Sequence, residues 1–278
     1  MLREETLAFL NKYELIADPS QDEQQLIDPE IIQLLIKSAG VQPGDRVLEV
    51  GPGAGNITIE LARQGAKVVG IEKNPKWMPL LKERLDEFDM ELILGDALKD
   101  RLPEFDRVVS NLPYSISEAF IQRLTRLTFR SGAFLVPSSF AIIVNAQKGN
   151  EKFSKLSFIS NLYYNLEIIT SVPQNAYHPP PGTSTSILTV KPRSPSSLGE
   201  ALLRETLKQS DKKLGNGLRE AVIKEAITYD LPSTKKSADK YIAGAFRNLN
   251  PECRVGRLSL MELQRLSNFL AELKVTSG

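Results

Sequence analysis

The first stretch with helical spacing of apolar positions and a clear start is Asp28–Gly40. Asp28 suits an N-cap, Pro29 the first helical position, Ile31, Ile32, Leu34 and Leu35 one apolar face, and Gly40 the C-terminal stop. Short apolar runs then alternate with helical segments. Runs at 46–50, 67–71, 90–94, 106–110 and 132–136 predict strands, with helices over 57–64, 79–88 and 117–128. This alternation implies βαβ units and a parallel sheet covered on both faces. Two further β segments, 162–169 and 186–191, are expected to close the sheet as an antiparallel edge. The stretch 191–200, rich in Pro, Ser and Gly, reads as a linker. Beyond it the period is helical over 201–209, 214–228, 237–248 and 259–273. The expected architecture is an α/β domain over 1–192 and a small all-helical domain over 193–278.

Composition narrows the chemistry. The 278 residues include one Cys (Cys253) and one His (His178), which argues against a disulfide framework, a cysteine or histidine metal site and a Ser/His/Asp triad. No metal is expected. No apolar run approaches the roughly 18 residues of a membrane span, and the N-terminus resembles no secretory signal. A cytoplasmic protein is therefore expected, with no membrane partner and, by default, a monomer. Total charge is +1, but it is unevenly placed: from Arg193 onward there are 15 Lys/Arg against 10 Asp/Glu, a net of +5. That asymmetry hints at a polyanion partner for the helical part, although mixed charge also solvates helix surfaces.

Chemistry-bearing residues gather at the carboxyl ends of successive predicted strands. Glu49-Val-Gly-Pro-Gly-Ala-Gly leaves the first strand and opens a helix; Gly51 and Gly53 let a ligand approach the backbone closely. The dinucleotide pattern G-x-G-x-x-G fails, because its sixth position is Asn56. Glu72 ends the second strand, where an acid can accept both ribose hydroxyl protons. Asp96, in Gly-Asp-Ala97-Leu after the third strand, can accept from an adenine amine. Together, in this order, they favour a nucleoside cofactor. Ser110-Asn111-Leu112-Pro113-Tyr114 follows the fourth strand. An amino group conjugated to a ring is a poor nucleophile. The Asn111 oxygen and the Leu112 carbonyl can each accept one of its N–H groups and turn its lone pair outward. Tyr114 can stack on a base taken out of its helix.

These motifs resemble the ribosomal RNA adenine N6,N6-dimethyltransferases of the KsgA type, relatives of the erythromycin-resistance methylases. Similarity runs from about Asp22 to the C-terminus. The resemblance implies a Rossmann-like S-adenosylmethionine-dependent methyltransferase sheet, S-adenosylmethionine as cofactor, and small-subunit ribosomal RNA or a pre-ribosomal particle as partner. It implies N6-(di)methylation of adenosine and a role in ribosome biogenesis. By position, Glu49, Gly51, Gly53 and the rest of their loop lie at the methionine portion, Glu72 at the ribose, Asp96 and Ala97 at the adenine, and Asn111 beside the methyl. The family's Gly-Gln-Asn/His-Phe-Leu-x-Asp motif corresponds to Asp22–Asp28, placing Gln24 and Leu26 at the cofactor. The stretch 174–192 places Tyr177 at an aromatic position, as a second slab opposite Tyr114. Asn111, Leu112, Pro113 and Tyr114 form the catalytic motif. Arg254 and Arg257, in the segment over 250–270, and Lys212 and Lys213 are the implied RNA contacts. His178 and Cys253 have no chemical role in this scheme.

The chain also departs from the family pattern. Glu23 stands at the Gln and Gln25 at the aromatic of the N-terminal motif. Pro137-Ser138-Ser139 replaces a Gln-Lys-Glu, Ile143 replaces an Arg, and an arginine-rich run becomes Ser210–Asn216. Fewer cations predict weaker phosphate contacts. Two other readings stay open at this stage: an RNA-associated assembly factor with little or no methylase activity, and a methylase of another RNA, of DNA or of a small molecule.

Overall fold

The computed structural model describes residues 2–273. Two compact units divide them: residues up to Ala146 together with Tyr164–Pro192, and Gln147–Tyr163 together with the residues from Arg193 onward.

The first unit opens with helix α1 (Leu2–Lys12), for which the apolar spacing gave no expectation. Strand β1 (Gln25–Leu26) precedes α2 (Pro29–Ala39), whose ends follow the expected chemistry. Asp28 accepts from the Glu30 and Ile31 N–H groups, and Gly40 closes the helix at φ 69°. The elements β2 (Arg46–Val50), α3 (Asn56–Arg63), β3 (Lys67–Glu72), α4 (Met78–Arg84), β4 (Glu91–Leu94), β5 (Arg107–Asn111), α5 (Ser117–Leu124) and β6 (Ser131–Pro137) then alternate as the apolar runs predict. After α6 (Ser138–Asn145) come β7 (Tyr164–Val172), β8 (Tyr177–His178) and β9 (Thr185–Pro192).

Seven strands lie in the order β4-β3-β2-β5-β6-β9-β7, with β4 through β6 parallel to their neighbours. Only β9 runs against the rest, pairing antiparallel with both β6 and β7. The expected antiparallel edge is thus one inverted strand inside an outermost strand that again follows the sheet direction. Val47, Leu48, Val108, Val109, Leu135 and Ile187 are fully buried, as strands covered on both faces require. Chain order reverses at β2 and β5, which opens a crevice at their carboxyl ends, where such sheets bind ligands.

The second unit holds α7 (Lys155–Tyr163), α8 (Leu198–Leu207), α9 (Leu214–Tyr229), α10 (Lys235–Ile242) and α11 (Leu260–Glu272). Leu162 and Tyr163, expected in a strand, end α7 instead. The Tyr163 hydroxyl donates to Arg204 O (2.8 Å) and Lys155 Nζ to Gly256 O (2.9 Å), which ties that helix to the unit. Helix α10 stops at Ile242 and passes into a 3-10 turn through Arg247 rather than continuing to 248. A capping box of Ser259 and Glu262 starts α11. No helix among the described residues is long and apolar enough to cross a membrane.

Candidate active site

The glycine loop between β2 and α3 is left-handed at three points: Gly51 (φ 69°), Gly53 (φ 55°) and Gly55 (φ 82°). A side chain there would be strained, and a Cβ on Gly53 would also stand 2.5 Å from Gln25 Oε1. That contact gives Gln25 a role that its place in the sequence does not announce. Gln25 stands at a position where an aromatic is expected, yet its Oε1 accepts from Ala54 N (2.7 Å) and its Nε2 donates to Glu23 O (2.7 Å). Strand β1 is held from its other edge by β8, pairing Leu26 with Tyr177. Residues 18–28 therefore form a strap along one side of the crevice. Glu23 anchors it to the loop after β3, within 2.7 Å of Lys76 Nζ and 3.2 Å of Asn74 Nδ2.

Every residue expected at the cofactor, from Gln24 and Leu26 through Glu49, Gly51 and Gly53 to Glu72, Asp96, Ala97 and Asn111, lines one cavity of about 500 Å³. The carboxylates in it differ in environment. Glu72 accepts from Asn74 N (2.8 Å) and Gly53 N (3.2 Å), which fixes its orientation; burial nevertheless raises its pKa. Burial pushes Glu49 up to about 8, against a hydrogen bond from Thr58 Oγ1 (2.6 Å) and with the nearby Glu72 charge adding to the rise. Glu49 is accordingly a neutral acid at pH 7. Asp96 is the opposite case. The Leu98 N–H (2.9 Å) and then Lys73, 3.2 Å away, hold it below the usual carboxylate range. A neutral acid, a buried carboxylate and a charged carboxylate thus succeed one another along the cavity.

Asn111 closes β5. Its Nδ2 donates to Gln24 O (2.8 Å), while its buried Oδ1 has no hydrogen-bond partner. The strap carbonyl therefore selects which face of the amide is used, and presents the acceptor. An unmet buried acceptor costs about 1–3 kcal/mol, a penalty that a ligand N–H removes. Leu112 is fully buried and donates its N–H to Leu135 O (3.2 Å). Pro113 lines the cavity and leads into a 3-10 turn, Tyr114–Ile116. Asp22, itself left-handed at φ 59°, accepts from Ser115 N at 2.9 Å and ties that turn to the strap. Tyr114 and Tyr177 lie outside the cavity lining. Burial raises both phenols; the Tyr114 hydroxyl is unpartnered, and Tyr177, 2% exposed, shares a hydrogen bond with Thr185 (2.8 Å). Tyr177 packs with Leu26, Val172 and Ile187, so its ring has no open face in this structure.

Of the departures, Glu23 and Gln25 keep polar contacts that shape the cavity, whereas Ser139 and Ile143 sit on α6, off its lining. In the helical unit, Lys212 pairs with Glu220 and Lys213 with Glu252 (2.5 Å). Arg254 is exposed, pairs with the Lys213 backbone and donates to Asp211 O (3.3 Å); Arg257 is exposed.

The family described as ribosomal RNA adenine dimethylase matches residues 19–242. A protein of Methanosarcina acetivorans named "Probable ribosomal RNA small subunit methyltransferase A" is 32% identical over 96% of this chain and 98% of its own. A protein of the same name from Pyrococcus abyssi is 28% identical over 99% of this chain and 100% of its own. Among solved structures, a dimethyladenosine transferase from Plasmodium falciparum shares the fold with a TM-score of 0.59 and 24% identity, over 88% of this chain and 97% of that one. The 23S rRNA methyltransferase ErmE does so with a TM-score of 0.60 and 20% identity, over 89% and 99%.

Proposed function

The chain belongs to the ribosomal RNA adenine dimethylase family, and from that premise we propose that it methylates N6 of adenosines in small-subunit ribosomal RNA, with S-adenosylmethionine as donor. The observation that carries the reading is the buried, unpartnered Oδ1 of Asn111, a residue at the end of β5 whose amide is held by Gln24 O and which lines the same cavity as Glu72 and Asp96. The residues present fit the cofactor. The cavity volume, the left-handed Gly51 and Gly53 of the loop that lines it and two acids at successive strand ends match a nucleoside with a short amino-acid tail.

In this reading Glu72 accepts from the ribose hydroxyls and Asp96 from the adenine amine. The loop at Glu49, Gly51 and Gly53, with Gln24 and Leu26 of the strap, holds the methionine portion. The bound cofactor supplies an electrophilic methyl on a sulfonium that departs as a neutral thioether. The chain's own work is on the nucleophile. Asn111 Oδ1 and the Leu112 carbonyl each accept an N–H of the target amine, which draws its lone pair out of the ring. After transfer, a proton leaves N6 for solvent, so no strong base is needed. Pro113 shapes the turn that carries Tyr114 to the base. Tyr177 provides the opposite slab once the β1–β8 pair yields its ring. Lys212, Lys213, Arg254 and Arg257 contact RNA phosphates.

The test is transfer of labelled methyl from S-adenosylmethionine to small-subunit particles that lack the modification. Wild type incorporates label at N6 of adenosine, and Asn111→Ala reduces turnover by roughly 100-fold or more while binding the cofactor nearly as well. Label that enters at another atom, or equal loss of binding and turnover in the variant, would overturn the assignment.

A further inference from the structure

Helix α1 lies outside the residues matched by the family, yet one buried arginine joins it to the glycine loop. Arg84, at the end of α4, has a side chain 2% exposed. Its Nη1 donates to Ala54 O (2.6 Å) and to Asn56 Oδ1 (2.6 Å), and its Nη2 to Glu5 Oε1 (2.9 Å) on α1. The ring of Phe9, also on α1, lies 5.2 Å from the guanidinium. Asn56 passes the connection on: its Nδ2 donates to Leu26 O (2.6 Å), and the buried Thr6 hydroxyl is 3.0 Å from its Oδ1.

The two peptide groups that flank the Ala54 Cα are therefore both held, the Ala54 N–H by Gln25 of the strap and the Ala54 carbonyl by Arg84. A loop with three left-handed glycines has little stiffness of its own, so its shape depends on such outside contacts. Leu26, Gly53 and Asn56 all line the same cavity; Arg84 holds Asn56 directly, Leu26 through Asn56, and the loop at Ala54, the residue after Gly53. Glu5 is the carboxylate that balances the buried guanidinium, and a buried cation without its partner is strongly unfavourable. Without it, the guanidinium is driven towards water and lets go of Ala54 and Asn56.

We propose that Glu5 and Arg84 are positioning residues for S-adenosylmethionine: through them α1 sets the spacing between the glycine loop and the strap. The inference rests on the cofactor reading above. Calorimetric titration of the full chain with S-adenosylmethionine, paired with steady-state kinetics, tests it in wild type, Glu5→Ala, Glu5→Gln and Lys12→Ala. Glu5→Ala raises the cofactor Kd and KM about tenfold, the scale of one lost charge-assisted hydrogen bond, with kcat and the RNA KM within about twofold of wild type. Glu5→Gln, which keeps an acceptor for Arg84, falls between the two. Lys12, on the same helix as Glu5, makes an exposed pair with Glu83 of α4 and lies over the Tyr13 ring; Lys12→Ala removes these contacts, leaves Arg84 its own partners, and binds as wild type does. A Glu5→Ala protein that is folded by circular dichroism and binds with the wild-type Kd overturns the inference, as does a Lys12→Ala protein that loses as much. Failure of the wild type itself to bind would overturn the cofactor reading and this inference with it.

Discussion

At the scale of single residues, the site places three acids in different environments, and two of them, Asp96 and Glu49, predict opposite behaviour. Asp96 stays charged and held by Leu98 N, so Asp96→Ala weakens S-adenosylmethionine binding by about 1.5–3 kcal/mol at neutral pH. Calorimetry reads this directly, and an unchanged Kd would remove Asp96 from the adenine. Glu49 behaves otherwise. Its folded pKa of about 8 lies above that of a free carboxyl, about 4.3. Its contribution to stability is then fully present below about pH 4 and is lost as pH rises through about 8. Glu49→Gln keeps the neutral shape, so the unfolding midpoint of the ligand-free variant gains on wild type steadily across that window. A constant difference between the two proteins would mean that Glu49 is already ionised in the fold. Much of this was legible beforehand: Glu49, Glu72, Asp96 and Asn111 each sit at a strand end where the alternation put them. Gln25 and Arg84 were not, because their roles depend on partners 29 and 30 residues away that only the folded chain brings near.

At the scale of elements, the strand–loop–helix around Gly53 is the most constrained turn of the site. Gly53→Ala combines a left-handed backbone, costing on the order of 1–3 kcal/mol, with a Cβ pressed against Gln25. Cofactor Kd should rise at least about tenfold, and adding Gln25→Ala should restore only part, since the backbone strain remains. Full recovery in the double variant would show that the clash alone matters. Helix α2 and the five parallel strands were readable because their caps and buried runs are local signals. Helix α1 was not: its stable place comes from Leu10 packing against Trp77, Leu80 and Leu81, and from Glu5 on Arg84. Helix α7 was hidden for another reason. Its last residues, Leu162 and Tyr163, run without a polar break into β7, and a continuous apolar stretch does not say where a helix ends and a strand begins.

At the scale of the whole molecule, the charge asymmetry of the sequence becomes a prediction about RNA. Lys212 and Lys213 already face Glu220 and Glu252, whereas Arg254 and Arg257 are exposed. Replacing both arginines with Ala should lower the salt dependence of RNA binding by about 1.4–1.8 in the log–log slope, at roughly 0.7–0.9 per phosphate contact. Replacing both lysines should change it less, because their acids take up part of the charge. A slope unchanged by either replacement would place the RNA elsewhere on the protein. The reaction itself is read by mass mapping of small-subunit ribosomal RNA from cells lacking this protein, with and without complementation. N6-methylated adenosines are expected to be missing without the protein, restored by wild type and not restored by Asn111→Ala. Unchanged RNA modification in the deletion, or restoration by Asn111→Ala, would contradict the proposed reaction.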